Sequence, residues 1–373
     1  MTPHVNPSFS ELFGHPAQVV VHAPGRVNLI GEHTDYNGGF VLPMAIPQQT
    51  HVELRRRDDT RVRVFSANKS QGGAPSEYTL GQEATGQGWL DYVQGVTFVL
   101  QREGHRLSGV DVRLSSEVPL GSGLSSSASL DVALLRALRT AFSLPLDDVQ
   151  LGLLGQRVET DFVGAPVGVM DPMAASMAGL GEALFLDTRS MNLERVPLPP
   201  GVDVVIINSG VAHNHSSGDY RVRRAECEKA CALLGIQELR DLPESELART
   251  ETLPDPLGRR ARHVVTENAR VLATVQALRA GDLERLGQLF YASHDSQRLD
   301  YEVSVPEIDL LVDLAREDAD VYGARLTGGG FGGSVVMLAR DGTGAAVARR
   351  ICERYAARSG QRPTILLPQP TGA

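Results

Sequence analysis

Lysine is nearly absent from this chain. Of its 373 residues, 36 are lysine or arginine, and only Lys69 and Lys229 are lysine. Neither stands in a G-K-[ST] pattern, which excludes a Walker-type phosphate loop. No H-R-D triplet occurs, which excludes a protein-kinase site. Any phosphate chemistry must use backbone amides, a metal ion and arginine. Cysteine is also scarce. Cys227, Cys231 and Cys352 are an odd number, which fits a reducing cytoplasm and not a disulfide framework. No apolar run reaches the roughly 18 residues of a membrane span. Residues 1–16 have neither a basic start nor an apolar stretch, so no signal peptide is expected. Acidic side chains outnumber basic ones 45 to 36, a net charge of −9. That argues against a nucleic-acid or anionic-membrane partner, while leaving room for a local basic pocket.

What is present is an ordinary globular composition, 42% apolar and 22% charged. At roughly 100–200 residues per domain the length predicts two or three domains. Val19–Val21 reads as a strand, interrupted by Pro24-Gly25 and resumed over residues 27–30, before a polar loop from Gly31 to Gly39. Alternation over residues 51–65 around Asp58-Asp59 predicts a hairpin. Residues 69–88 are Gly-rich and polar, which predicts a surface excursion. Helical spacing predicts helices over about 89–101, 130–141, 146–162, 219–234, 260–280, 305–317 and 345–357, with another short one ending at Gly179. Strands are predicted at 110–114, 203–208, 324–326, 334–338 and 364–367. The Pro-rich stretch from Val196 to Pro200 predicts a boundary between domains 1–195 and 196–373.

Five constellations could carry chemistry. In PLGSGLSSSAS, residues 119–129, small residues precede an amphipathic helix. Such a loop can wrap a phosphate, and the helix N-terminus offers free N–H groups; it could equally be an elaborate helix cap. GRVNLIGEHTDYNGGFVLP, residues 25–43, crowds donors and acceptors beside apolar flanks, which suits a polyhydroxylated ligand. Its Glu32-His33-x-Asp35 could also be a metal cluster, though no H-x₃-H spacing supports that. In ETDFVGAPVGVMD, Glu159 and Asp171 could bind a divalent metal and act as a base, or lie on the surface. LTGGGFGGSVV, residues 326–336, is either a hairpin turn or the wall of a phosphate pocket. His213-Asn214-His215 is more often a polar loop than a ligand set.

Taken together, these motifs resemble the galactokinase family of the GHMP kinase superfamily over about residues 19–340. The resemblance implies a two-lobed α+β fold with the active site in the cleft between lobes and a ferredoxin-like C-terminal domain. It implies a cytoplasmic enzyme, expected as a monomer, that transfers the ATP γ-phosphate to the C1 hydroxyl of galactose with Mg2+, in the Leloir pathway. By the same resemblance Arg26 is the transition-state arginine and Asp171 the proton acceptor. Glu32, His33, Thr34, Asp35 and Tyr220 fall on sugar contacts. Gly121, Ser122, Gly123, Leu124, Ser125, Ser126 and Ser127 fall on the nucleotide phosphate loop, and Ser66 on a further nucleotide contact. Ser127 and Glu159 match the Mg2+-associated pair. Two positions depart from the family. Thr160 stands where it has Asn, and Pro172 where it has Gln; Pro172 is expected to bias Asp171 toward extended backbone. A related sugar kinase, for N-acetylgalactosamine or arabinose, remains open, as does a non-catalytic galactose/ATP sensor. The intact Glu32–Asn37 run and Ser127-Ala128 favour catalysis on galactose.

Overall fold

The structure is a computed structural model that describes residues 6–70, 73–211 and 216–367. His213-Asn214-His215 lies outside the described residues. In chain order the elements begin with α1 (Phe9–Phe13), β1 (Val19–Asn28), β2 (Phe40–Val41), β3 (Pro43–Arg56), β4 (Arg61–Ser66) and β5 (Ser76–Thr79). Next come α2 (Leu90–Arg102), β6 (Val110–Ser116), α3 (Ser126–Phe142), α4 (Asp148–Arg157), α5 (Met170–Met177), β7 (Glu182–Asp187), β8 (Leu193–Pro197) and β9 (Val202–Asn208). The chain continues with α6 (Ser216–Leu234), α7 (Leu257–Ala280), α8 (Leu283–Leu299), α9 (Pro306–Arg316), β10 (Val321–Thr327), β11 (Ser334–Arg340), α10 (Gly344–Ser359) and β12 (Thr364–Leu367).

Two compact units emerge, and neither is contiguous. One comprises Met1–Arg26, Ile46–Leu120 and Ser125–Met177; the other comprises Val27–Ala45, Gly121–Leu124 and Ala178–Ala373. The division near residue 195 therefore shifts to 177/178. The Pro-rich stretch is not a linker, because Leu193–Pro197 pairs with β7 in a three-stranded sheet ordered β2-β7-β8.

The first unit is built on a sheet ordered β1-β3-β6-β4-β5. Helix α3 buries Ala128, Val132, Leu135 and Leu138, a stripe of helical period, in the same core as Leu54 and Val112 of the sheet. Helix α4 starts at a capping box, with Asp147 and Gln150 bonding each other's backbone amides. It then runs into a π-helical turn, Val158–Val163, that carries Glu159. The hairpin expected over residues 51–65 does not form. Strand β6 inserts between β3 and β4, antiparallel to β3 and parallel to β4. The reason is electrostatic as well as apolar. Asp111 of β6 is fully buried, and Arg63 holds it bidentately at 2.6 and 2.8 Å. Arg57 at 3.2 Å and His15 at 3.0 Å complete its partners. Alternating arginines that read as a solvated hairpin face are thus drawn onto a central strand.

The second unit packs α9 and α10 on an antiparallel sheet ordered β10-β11-β9-β12. Pro306 opens α9, and Ile308, Leu311, Val312 and Ala315 form its buried stripe. Helix α8 was not anticipated from the sequence. Its apolar stripe stops at Phe290, and its later buried positions are polar: Ser293, His294, Ser296 and Gln297. A helix whose buried face turns polar loses the periodic signal.

Asp111→Ala should lower the unfolding free energy by about 1–3 kcal/mol, because it removes the acceptor that the partly buried Arg57 and Arg63 share. Urea denaturation checks this; an unchanged midpoint would show that water already satisfies those cations.

Candidate active site

In the first unit, Arg26 ends its part of β1 with the guanidinium buried. It donates Nε to Asp171 Oδ1 at 2.7 Å and Nη2 to Oδ2 at 2.6 Å. Ser125 Oγ donates to the same Oδ2. The sequence offers Ser125 either to a loop that wraps a phosphate or to a helix cap. It does precede α3, but with φ 59° and no side-chain cap; its hydroxyl turns to Asp171 instead. A non-glycine residue in that region costs of order 1 kcal/mol or more and persists only where surroundings impose it. Asp171 lies in the first turn of α5 and not in extended backbone. Pro172 is tolerated there because amides of the first turn have no intrahelical acceptor. The side chain of Asp171 is 29% exposed, so the pair is open to a ligand.

Glu159 is buried beside this pair and accepts from the Ser127 hydroxyl. Burial, then the Asp171 charge, pushes its carboxyl up to about 7. One turn beyond Ser127, the fully buried Asp131 has neither oxygen hydrogen-bonded within the described residues. Burial, then the Glu159 charge, holds its carboxyl well above the usual range. A hydroxyl and a carboxylate that favours a cation suit Mg2+, which takes oxygen ligands and fills its other places with phosphate and water. Thr160 instead bonds Asp161 at 3.0 Å. Helix α3 has no acidic residue in its first turn to repel an anion.

Next to Ser126 and Ser127 lies a cavity of about 300 Å3 whose other walls include Ser66, Asn68, Lys69, Trp89 and Tyr92. Ser66, which the resemblance reads as a nucleotide contact, is one of these lining residues. The single tryptophan and one of the two lysines were passed over, although rarity itself was a signal.

In the second unit, the segment from Gly31 to Gly39 is a nearly buried loop with a short 3-10 turn, Asp35–Asn37. Its backbone is gripped by α7: Glu267 accepts from Gly31 N at 3.0 Å, Asn268 from Phe40 N at 2.9 Å, and His263 Nε2 lies 3.2 Å from Glu32 O. Arg325 of β10 donates to Asn28 O and Leu29 O and pairs with the Glu32 carboxylate. Glu32 also accepts from Gly328 N at 2.9 Å. These partners displace the metal-cluster reading of Glu32-His33-x-Asp35. Thr34 donates inside the loop, to Gly31 O and Phe40 O. Tyr220 sits within α6, its ring centroid 5.6 Å from that of His33 and 5.1 Å from that of Tyr36. Asp35 remains partly accessible. Gly121–Leu124 belongs to this unit, with Ser122 O accepting from Ser334 Oγ at 2.6 Å. A Cβ on Gly328 would come within 3.2 Å of Gly123 O, so the glycine cluster walls this part of the loop. Sequence reasoning missed His263, Glu267, Asn268 and Arg325, because polar residues inside a long helix or a buried strand read as solvated.

Comparison with known proteins bears on these features. Residues 7–56 match the model of the galactokinase galactose-binding signature, 91–179 the GHMP kinases N terminal domain and 274–357 the GHMP kinases C terminal domain. The chain is 43% identical to a galactokinase of Streptomyces coelicolor, over 98% of this chain and 96% of the relative. It is similar to the crystal structure of Lactococcus lactis galactokinase complexed with galactose, with TM-score 0.91 and 35% identity over 96% and 95% of the two chains. A mevalonate kinase of L. major, solved with R-mevalonate, shares the fold at TM-score 0.64 and 21% identity, over 91% of this chain and 92% of that one.

The Glu159 shift has a sign that can be tested. Its carboxyl stands at about 7 in the folded chain against an ordinary value of 4.5. The fold therefore penalises the ionised form, from nothing at pH 4 to the full amount above about 7. Metal-free Glu159→Gln should be more stable than the parent at pH 8, by about 3 kcal/mol at most, and no more stable at pH 4. Mg2+ with nucleotide should reverse the order at pH 8. Thermal melts at the two pH values would refute the assignment if the variant gained nothing at pH 8.

Proposed function

The chain belongs to the galactokinase family of the GHMP kinases, and on that footing we propose how its own residues transfer the γ-phosphoryl group of ATP to the C1 hydroxyl of galactose. The nucleotide base takes the cavity beside Trp89 and Tyr92, and the phosphates take the amides of residues 121–127 and the N-terminus of α3. Mg2+, held by Ser127 and Glu159, would neutralise phosphate charge. Arg26 stabilises the negative charge of the transferring group, the main task in phosphoryl transfer. His33, Asp35 and Tyr220 bind sugar hydroxyls. Glu32 remains a sugar contact through its remaining acceptor capacity, while Thr34 acts by closing the loop.

The observation that carries this reading is the Arg26–Asp171–Ser125 constellation. Three of about four lone-pair positions on the Asp171 carboxylate are filled, which leaves one on Oδ1 for the sugar hydroxyl proton. A carboxylate fixed by three hydrogen bonds from two side chains and still solvent-accessible is built to accept one more proton in one place. Three free cysteines fit the cytoplasm. Among the described residues no helix is long and apolar enough to cross a membrane. Among the described residues the exposed large apolar side chains are few and spread along the chain, with only Val222 and Leu233 sharing an element, α6, which supports a monomer; sedimentation tests it.

Asp171→Asn keeps the shape but cannot take the proton, so kcat should fall by about 10²–10⁴ while galactose still binds. Near-normal turnover would move the proton to the phosphate and end the base assignment. In the parent, ADP and galactose 1-phosphate should appear in equal amounts; tight galactose binding without ADP release would instead mark a sensor.

Asp35→Ala should cut kcat/KM for galactose, and glucose, the C4 epimer, should be a poor substrate, by up to about 10⁴-fold. A sugar panel that includes N-acetylgalactosamine and arabinose measures both, and unchanged galactose kinetics in Asp35→Ala would remove that residue from the site.

A further inference from the structure

A file of buried side chains runs inward from the ring of His33. Its Nδ1 lies 3.0 Å from Tyr36 Oη, which lies 2.7 Å from Tyr301 Oη, which lies 3.2 Å from Cys227 Sγ. His33, Tyr301 and Cys227 are all buried. The ring centroid of His33 lies 4.6 Å from that of Tyr301, which lies 4.5 Å from that of His263, each pair tilted by 36–37°. His33 itself is held at φ 64°, a conformation that asks for local support.

We propose that this file is a relay that fixes the tautomer of His33, with Nδ1 accepting from Tyr36 and Nε2 carrying the proton as a donor to a sugar hydroxyl oxygen. The inference rests on the reading of His33 as a sugar contact. The direction follows from acceptor strength. An imidazole nitrogen is a better acceptor than a phenol oxygen, and a phenol oxygen a better one than a thiol sulfur. Each proton therefore moves toward the imidazole: the Cys227 thiol donates to Tyr301, Tyr301 to Tyr36, and Tyr36 to His33 Nδ1. Reversing the file would make the imidazole donate to a phenol oxygen, the poorer acceptor of the two.

Two further observations fit. The imidazole is neutral, because burial, then the charge of His263, pulls its pKa down to about 3; the tautomer is then the property that matters. Nε2 is buried and has no hydrogen-bond partner among the described residues, so it is the ring nitrogen left for a ligand oxygen. A donor at His33 and an acceptor at Asp35, two residues on, offer sugar hydroxyls both kinds of partner. Tyr36, Tyr301 and Cys227 are thus positioning residues that act through His33.

The test reads the tautomer directly. In ¹⁵N-histidine-labelled protein without ligand, the His33 ring, assigned by its loss in His33→Gln, should show a bare Nδ1 and a protonated Nε2. Tyr36→Phe should mix the two tautomers and raise KM for galactose about 3- to 10-fold, with KM for ATP unchanged. Cys227→Ser keeps a donor at the end of the file and should leave the tautomer in place, which separates the relay from general packing. A protonated Nδ1 in the parent, or an unmixed tautomer in Tyr36→Phe, overturns the relay. A mixed tautomer with unchanged KM for galactose leaves the relay standing and overturns the place of His33 at the sugar.

Discussion

The backbone of residues 28–40 is held by charge buried in the second unit, and the candidate sugar site depends on that grip. Glu32 and Glu267 face Arg325, and Glu267 pairs again with Arg270 at 2.6 Å, so two anions meet two cations. A buried loop must find partners for every amide and carbonyl, and an unpaired buried charge would cost several kcal/mol. The quartet meets both demands. It cancels its own charge while its members bind Gly31 N, Asn28 O and Leu29 O. Gly31 has no substitute here: at φ 101° a Cβ would sit 2.6 Å from Phe40 O.

A comparable logic governs the first unit at smaller scale. Arg26 would be a buried cation without Asp171, and Asp171 would be free to rotate without Arg26 and Ser125. In both units a non-glycine residue at positive φ marks the place where fold imposes on local preference: His33 over the sugar segment and Ser125 at the phosphate loop. The π-helical turn that carries Glu159 is a third such place, where an added residue in the turn sets the side chain at a new angle.

These are arrangements in which a kinase can stabilise phosphoryl charge without a lysine at the phosphates. On the proposed reading, backbone amides and a helix N-terminus take the anion, an arginine fork takes the transferring group, and a hydroxyl–carboxylate pair suits the metal. Lys69 stands at the wall of the cavity beside Ser66 and Trp89 in the lining.

Local pattern carried much of this from the sequence alone. The stripes of α3 and α9, the apolar run of β9 and the glycine-punctuated motifs follow from periodicity and backbone freedom, which neighbours in sequence determine. So do the identities of Arg26, Asp171, Ser127 and Glu159 as residues of interest, through their motifs. What the sequence could not contain is pairing at a distance. Whether β3 meets β4 or β6 was decided by Asp111, some fifty residues from Arg57 and Arg63. Whether Ser125 caps a helix or holds a base was decided by Asp171. Glu267 and Arg325 looked like surface charge until tertiary packing removed water from around them. A charged side chain has no periodic signature of its own, and its role depends on which opposite charge the fold brings within hydrogen-bonding distance.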